Sequence, residues 1–253
     1  MVIGLLAHSI CSAQVKSGRV EYLVSYRNDT LSPTRQQELK DIGAFLYFDT
    51  HIAIFVYDAE KDKREMIGNV VYTNLNQKQM CIRRVIPGTR VYTYEPTLPK
   101  LKWQIYPENK TIAHYNCQKA VTFFRGRAWE VWFTTEIPVS FGPWKLHGLP
   151  GLILEASTQD QVISLRYKSI EIPPSQEFVQ HVKEKYASIP YHKKDIQTSW
   201  QEYKEHYKTR IDKIVQEITE QMNAEEERLP PEEKVKYHFV YRSYIPEWEL
   251  NFE

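Results

Sequence analysis

The sequence predicts a mainly β protein with C-terminal helices, an α+β arrangement in which a curved antiparallel sheet, open or closed to a half-barrel, is partly covered by a helical segment. Three observations carry this. From Gly18 to about Tyr167, apolar and polar residues alternate in short runs rich in β-branched and aromatic side chains. Turn-forming residues punctuate those runs at short spacing. Beyond Pro173-Pro174 the apolar period changes from two to three and four.

The elements follow in order. Val20, Tyr22, Val24 and Tyr26 share one face of a first strand, while Glu21, Ser25 and Arg27 take the other. Residues 44–48 and 52–57 form a hairpin that turns at Asp49-Thr50-His51, and the charged stretch from Glu60 to Glu65 is a solvated loop. Val70-Val71-Tyr72 and Met80 to Ile86 are joined by residues 74–78, and Pro87-Gly88 turns the chain into Arg90 to Tyr94. Trp103 to Tyr106 is expected to turn through Pro107-Glu108-Asn109-Lys110 into Ile112 to Tyr115. Gln118 to Phe124 and Ala128 to Thr135 flank a Gly-centred hairpin at Arg125-Gly126-Arg127, and residues 153–156 pair with 162–167. About ten strands at this spacing favour antiparallel pairing over βαβ units. The helical segment, about residues 175–228, holds a first helix capped by Ser175 and a longer one with a capping box at Thr198 or Ser199 with Gln201 or Glu202. Ile196, Trp200, Tyr203, Tyr207, Ile211, Ile214, Ile218 and Met222 form its apolar stripe, opposite a charged face. Tyr237 to Tyr244 alternates again, as an edge strand would.

The 253 residues, 42% hydrophobic and 13% aromatic, suffice for one sizeable core. A net charge of +1 argues against nucleic acid as a partner and against a polybasic membrane surface. Val2 to Ile10 is apolar and Cys11-Ser12-Ala13 supplies small residues, so residues 1–13 read as an export signal, too short for a transmembrane segment, ahead of a single domain from 14 to 253. Cleavage there leaves Cys81 and Cys117, which either pair in an oxidising compartment or stay as two separate buried thiols.

The chemistry-bearing candidates are few. Arg125 and Arg127, with Trp129 and Trp132 following, could bind an anion or stack a sugar; the bland alternative is aromatic cross-strand packing beside exposed turn arginines. Glu136 and Glu155 could serve as an acid/base pair, with His147 beside them, or simply bond backbone N–H groups or an arginine. His114 and Cys117 are separated by three residues, which on a strand puts them on opposite faces and counts against a shared metal. Nucleotide, dinucleotide, serine-hydrolase and zinc-protease motifs are lacking, so neither a cofactor nor a metal is expected.

Gly148-Leu149-Pro150-Gly151-Leu152-Ile153 specifies a turn that runs straight into an apolar strand: Pro150 fixes its φ, Gly151 is free to take left-handed space, and the leucines want burial. With Cys117-Gln118-Lys119-Ala120, Glu136-Ile137-Pro138 and Gly142-Pro143 before it, this string resembles the GLPGLI family of exported Bacteroidetes proteins. Tyr244-Ile245-Pro246-Glu247 departs from that family's Asn-Pro-Ile-Glu ending. The resemblance implies localisation in the periplasm or cell envelope and carries no established activity. A curved sheet rich in Tyr, Phe and Trp favours a non-enzymatic binding or assembly protein with an aromatic-lined groove for a lipid, glycan or peptide, bounded by Trp129, Trp132, Arg125, Arg127, Glu136, His147 and Glu155, and with an outer-membrane or envelope partner. The alternative is an exported hydrolase acting on glycan or peptide through Glu136 or Glu155.

Overall fold

The computed structural model of the chain describes residues 17–27, 40–58, 70–86, 89–95, 98–174, 176 and 196–226. The expected export signal, first helix and final edge strand lie outside these residues. Twelve strands form one open sheet: β1 (Ser17–Tyr26), β2 (Ile42–Asp49), β3 (Ile52–Tyr57), β4 (Val70–Asn74), β5 (Gln79–Ile86), β6 (Thr89–Glu95), β7 (Gln104–Ile112), β8 (Tyr115–Phe124), β9 (Arg127–Thr134), β10 (Leu152–Thr158), β11 (Ile163–Glu171) and β12 (Ile196–Thr198). A helix, α1 (Trp200–Glu226), follows. The strand order β12-β6-β5-β4-β3-β2-β1-β11-β10-β9-β8-β7 is two meanders joined where β1 pairs with β11. Every pairing is antiparallel except the short β12 on β6.

That order forces curvature. β6 and β7 are consecutive in sequence yet stand second and twelfth in the sheet. Across a flat sheet they would be about 48 Å apart at the usual strand spacing. The chain from Glu95 to Gln104 reaches only about 31 Å when fully extended. The sheet therefore bends until this strap can cross it. Leu98 N–H donates to Lys78 O (2.7 Å) at the β4–β5 turn, and Trp103 Nε1 donates to His147 O (2.8 Å) at the far side. Leu98, Leu101 and Trp103 pack against the core as the strap passes over it.

Alternation decides what lies beneath the strap. Val20, Tyr22 and Val24 are buried on β1, as predicted, and meet Leu46, Ala44 and Ile42 on β2. The same face continues through Phe55, Val71 and Ile82 in one direction and through Leu165, Ala156, Val131 and Ala120 in the other. It is closed by residues 135–151, the long connection between β9 and β10. Ile137, Val139, Phe141, Trp144, Leu146 and Leu149 in this connection are all buried in the core cluster. Each such side chain contributes about 1.5–3 kcal/mol by burial, so the connection is as much core as the strands are.

Two glycines let this connection lie so close. A Cβ on Gly151 would stand 2.0 Å from Thr134 O, and one on Gly142 would stand 2.7 Å from Ile153 Cδ1. The left-handed residue of the string is Gly148, at φ 93°, and not Gly151 as the sequence suggests. Leu152 N–H and Ile153 N–H then donate to Ile137 O and Phe141 O, both at 3.0 Å, which ties the connection to the start of β10.

Several local expectations hold. Asp49 Oδ1 accepts from His51 N and Ile52 N in the β2–β3 turn, and Arg125 and Gly126 take φ 50° and 71° in the β8–β9 hairpin, as a two-residue primed turn requires. Ser199 and Glu202 form the capping box: Glu202 Oε2 accepts from Ser199 N (2.8 Å), and Glu202 N–H donates to Ser199 Oγ (3.2 Å). The residues of α1 whose exposure is described are largely the predicted solvated ones, Glu205, Asp212, Lys213 and Glu217 among them. Side chains of the predicted apolar stripe, from Trp200 to Met222, lie outside the described residues. Among the described residues no helix is long and apolar enough to cross a membrane.

One turn is misplaced by the sequence reading. β7 runs through Pro107 without turning, and the reversal comes at Ala113 and His114, where Ala113 has φ 54°. Pro107 is tolerated because β7 is an edge strand with a register shift between Ile105 and Asn109, where a missing N–H disturbs no ladder.

Candidate functional site

The seven residues singled out in the sequence separate into three places. Trp129 and His147 belong to the buried interior. Trp129 is 1% exposed, donates Nε1–H to Phe124 O (3.1 Å) and stacks on Trp144 with centroids 5.3 Å apart. His147 has Nδ1 2.8 Å from Lys145 O and Nε2 2.8 Å from Pro99 O. Burial lowers its pKa against the opposing pull of those two carbonyls. Both ring nitrogens are thus occupied by backbone, and His147 clasps the strap to the β9–β10 connection.

Arg125 and Arg127 lie at the β8–β9 hairpin. Arg125 stands over the Phe124 ring (5.5 Å), while Arg127 pairs with Asp160, whose backbone carbonyl also accepts from Arg27 (2.9 Å). Desolvation pushes the Asp160 carboxyl upward, but Thr158, Val162 N–H and Arg127 together pull it below its ordinary value. Arg127 thereby pins the β8–β9 turn to the β10–β11 turn.

Trp132, Glu155 and Glu136 form the third group, and it gathers residues the sequence reading did not flag. Trp132 alternates with buried Val131 and Phe133, so it points from the opposite face of β9. Its direct neighbours across the ladder are Lys119 on β8 and Glu155 on β10. Lys110 reaches in from β7: its Nζ lies 2.5 Å from Glu155 Oε2 and 4.5 Å from the Trp132 ring centroid. Lys119 pairs with Glu130 (2.9 Å), and that hydrogen bond raises its pKa above the ordinary value. Glu136, just past the end of β9, accepts Asn116 N–H on Oε1 (2.7 Å).

Cys117 lies opposite Lys110, between β7 and β9. Its thiol is fully buried, and desolvation pushes its pKa up to about 11, with Glu155 and Glu136 both adding to the rise and Lys110 opposing it. Lys110 is the cross-strand neighbour of Cys117 on β7, and Glu136 accepts from Asn116, the residue before Cys117. Glu136 also raises the neighbouring Tyr115 phenol, after burial as the first cause. Chemically this is a surface with two carboxylates that each keep one oxygen outside these bonds, an ammonium beside one of them, and an indole between paired charges. Lys110 escaped notice because the sequence reading placed it in a turn. Forty-five residues separate it from Glu155, and only the ladder brings them together.

Neither Cys81 nor Cys117 is in a disulfide, and both are buried. They lie on β5 and β8, on either side of β4, β3, β2, β1, β11, β10 and β9, so the alternative of two separate thiols holds. His114 sits in the β7–β8 turn with its ring 4.0 Å from that of Tyr115, away from any strand face it could share with Cys117.

Residues 70–189, from β4 through β11 and beyond, match the family model of the N-glycanase peptide N-terminal domain. Solved structures of PNGF-II share the fold. One, in a C2 crystal form, has a TM-score of 0.56 at 18% identity and covers 78% of this chain and 32% of its own; another, in a P21 form, has 0.56 at 17%, with 77% and 34% covered. The chain thus spans about a third of the length of those structures. No curated protein is similar enough to count as a relative.

These findings correct two expectations. The resemblance to the GLPGLI family gives way to the match with the N-glycanase N-terminal domain, whose span contains the whole string from Gly148 to Ile153. The non-enzymatic, groove-presenting envelope protein falls with it. The structure supplies the physical reason: Trp129, counted toward a groove, is fully buried in one core with Tyr22, Phe55, Phe133 and Phe141, roofed by residues 135–151. The match favours the hydrolase that the sequence analysis held as its alternative.

Proposed function

We propose that this chain is a domain of an exported hydrolase acting on glycan-bearing peptides, with its chemistry directed at the face that carries Lys110, Trp132, Glu136 and Glu155. The observation that carries this reading is the match of residues 70–189 to an N-glycanase N-terminal domain, supported by the shared fold. In this reading the sheet is a half-barrel partly covered by α1, and the apolar run from Val2 to Ile10 directs export.

The site residues take roles that their geometry allows. Hydrolysis of an amide between glycan and peptide adds water to the carbonyl carbon and breaks the C–N bond, so one group takes a proton from water and one gives a proton to the departing nitrogen. Glu155, ion-paired with Lys110 and adjoining the Trp132 platform, is the candidate base; Glu136, with Oε1 accepting from Asn116 N–H and Oε2 outside that bond, is the candidate acid. Lys110 beside Glu155 would steady the negative charge that develops on the carbonyl oxygen.

The test is incubation of the intact chain with an N-glycosylated peptide, followed by mass spectrometry. The expected product is a glycan-free peptide carrying aspartate in place of the glycosylated asparagine. Glu136→Gln and Glu155→Gln should each lower turnover by about 10²-fold or more. Absence of release by the parent chain overturns the hydrolase reading, and unchanged turnover in both variants removes these residues from it.

A further inference from the structure

Trp132 is half-buried on the outer face of β9, between charged neighbours, with Val121 and exposed Phe123 farther along β8 on the same face. Lys119 and Glu155 are its cross-strand neighbours, and Glu130, two residues along the same strand, is flanked by Ser157 on β10 and Val121 on β8. Two ammonium groups and two carboxylates surround the indole, paired as Lys110–Glu155 and Lys119–Glu130, and Glu136 adds a carboxylate to the same face, so the patch carries no net positive charge. An indole supplies a flat apolar surface, and charged pairs supply both donors and acceptors around it. A pyranose ring has the complementary form, an apolar C–H face with hydroxyls at its rim.

We propose that Trp132 is the platform of a subsite for a neutral sugar ring of the glycan, capped in the free protein by Lys110. This rests on the glycan-hydrolase reading above and deepens it by assigning where the sugar lies. Charge balance sets the ligand class, because the patch offers an acidic sugar no net attraction. Lys110 Nζ lies over the indole at 4.5 Å, where the sugar would stack, and its side chain is 38% exposed. Ion pairs and cation–π contacts at that exposure are weak, so a stacked ring displaces the ammonium while Glu155 and Lys119 take up its hydroxyls. Lys110 is then a positioning residue that gates the platform.

The experiment is calorimetric titration of the intact chain with triacetylchitotriose and mannotriose, both neutral, and with trigalacturonate as the acidic control. At least one neutral trisaccharide should bind. Trp132→Ala should weaken it about tenfold, whereas Trp132→Phe, which keeps a flat ring, should retain most of the affinity. Lys110→Ala should tighten it about threefold by uncovering the platform, a gain that loss of a structural contact would not produce. The idea is overturned if neither neutral sugar binds, if Trp132→Ala binds as the parent does, or if trigalacturonate binds more tightly than both neutral sugars. Should Trp132→Ala not fold, Trp132→Phe and Lys110→Ala decide the matter. Glycopeptide hydrolysis by the parent separates the two proposals: release without trisaccharide binding removes the subsite alone, and binding with these shifts but without release removes the hydrolase reading alone.

Discussion

Substituting the glycines of the β9–β10 connection separates two reasons for being a glycine. At Gly151 the reason is space: the added Cβ would meet Thr134 O at 2.0 Å, Thr134 C at 2.6 Å and Thr135 N at 2.9 Å. Ordinary contact begins near 3.4 Å, and all three atoms are backbone at the end of β9, so no side chain can rotate away. Relief requires the connection to withdraw by about 1.4 Å, which strains the Leu152–Ile137 and Ile153–Phe141 bonds and loosens the buried side chains beneath. Overpacking of this kind costs about 1–3 kcal/mol, and the lack of any yielding partner places Gly151→Ala at the upper end. At Gly148 the space is open, with Trp103 Nε1 at 3.7 Å as the only near atom, and the reason is φ 93°. Alanine there costs about 1–2 kcal/mol in backbone strain. Thermal and urea unfolding should rank Gly151→Ala as the more damaging, with a melting temperature about 6–12 °C below the parent. Equal stability of Gly151→Ala and the parent, or a larger loss in Gly148→Ala, would refute the close-packing argument.

Two further outcomes follow from groups the core has buried. His147 is held below its ordinary value of 6.5, so the unfolded chain takes up its proton first: stability is complete above about pH 6.5 and falls as the pH drops toward the lower folded value. Unfolding measured from pH 7.5 to 5 should show this slope, and His147→Gln should flatten it; an identical slope in both proteins refutes the assignment. Cys81 and Cys117 should both be alkylated after unfolding without reductant, and Cys117, pushed up to about 11, should resist alkylation at pH 8 in the folded chain. Protection of the pair in the unfolded chain would mean a disulfide.

The strands were legible because one physical signal, alternation, fixes both their existence and the face that is buried. Val20, Tyr22 and Val24 state their side of β1 without reference to any other residue. The β2–β3 and β8–β9 turns carry their own chemistry, an aspartate that accepts two N–H groups and a glycine at positive φ. What failed was local in sequence but decided elsewhere. Pro107 breaks a central strand, yet it lies in β7 because that strand is an edge, and edge status depends on the order of all the others. The prolines of residues 135–151 suggest a break between strands, whereas the connection supplies six buried side chains because the sheet curls and needs a roof.

The site was harder to read than the fold for a related reason. Glu136 and Glu155 could be named from one sequence, but their surroundings consist of ladder neighbours and carry no spacing rule. Glu155 meets Trp132 only because the register shifts between Ile153 and Glu155, which moves Glu155 to the outer face beside an indole of matching direction. Without that shift, strict alternation from buried Ile153 would carry Glu155 into the core, and Lys110 would have no carboxylate to pair with. The same irregularity that hides the site from the sequence therefore builds it. A bulge inserted next to a polar pair re-aims a side chain at the cost of local pairing. Removal of Leu154 makes Glu155 the residue next after Ile153 in a regular ladder, so Glu155 should stay opposite Trp132 and keep its pair with Lys110, while the loss of the buried Leu154 side chain lowers the stability of the sheet.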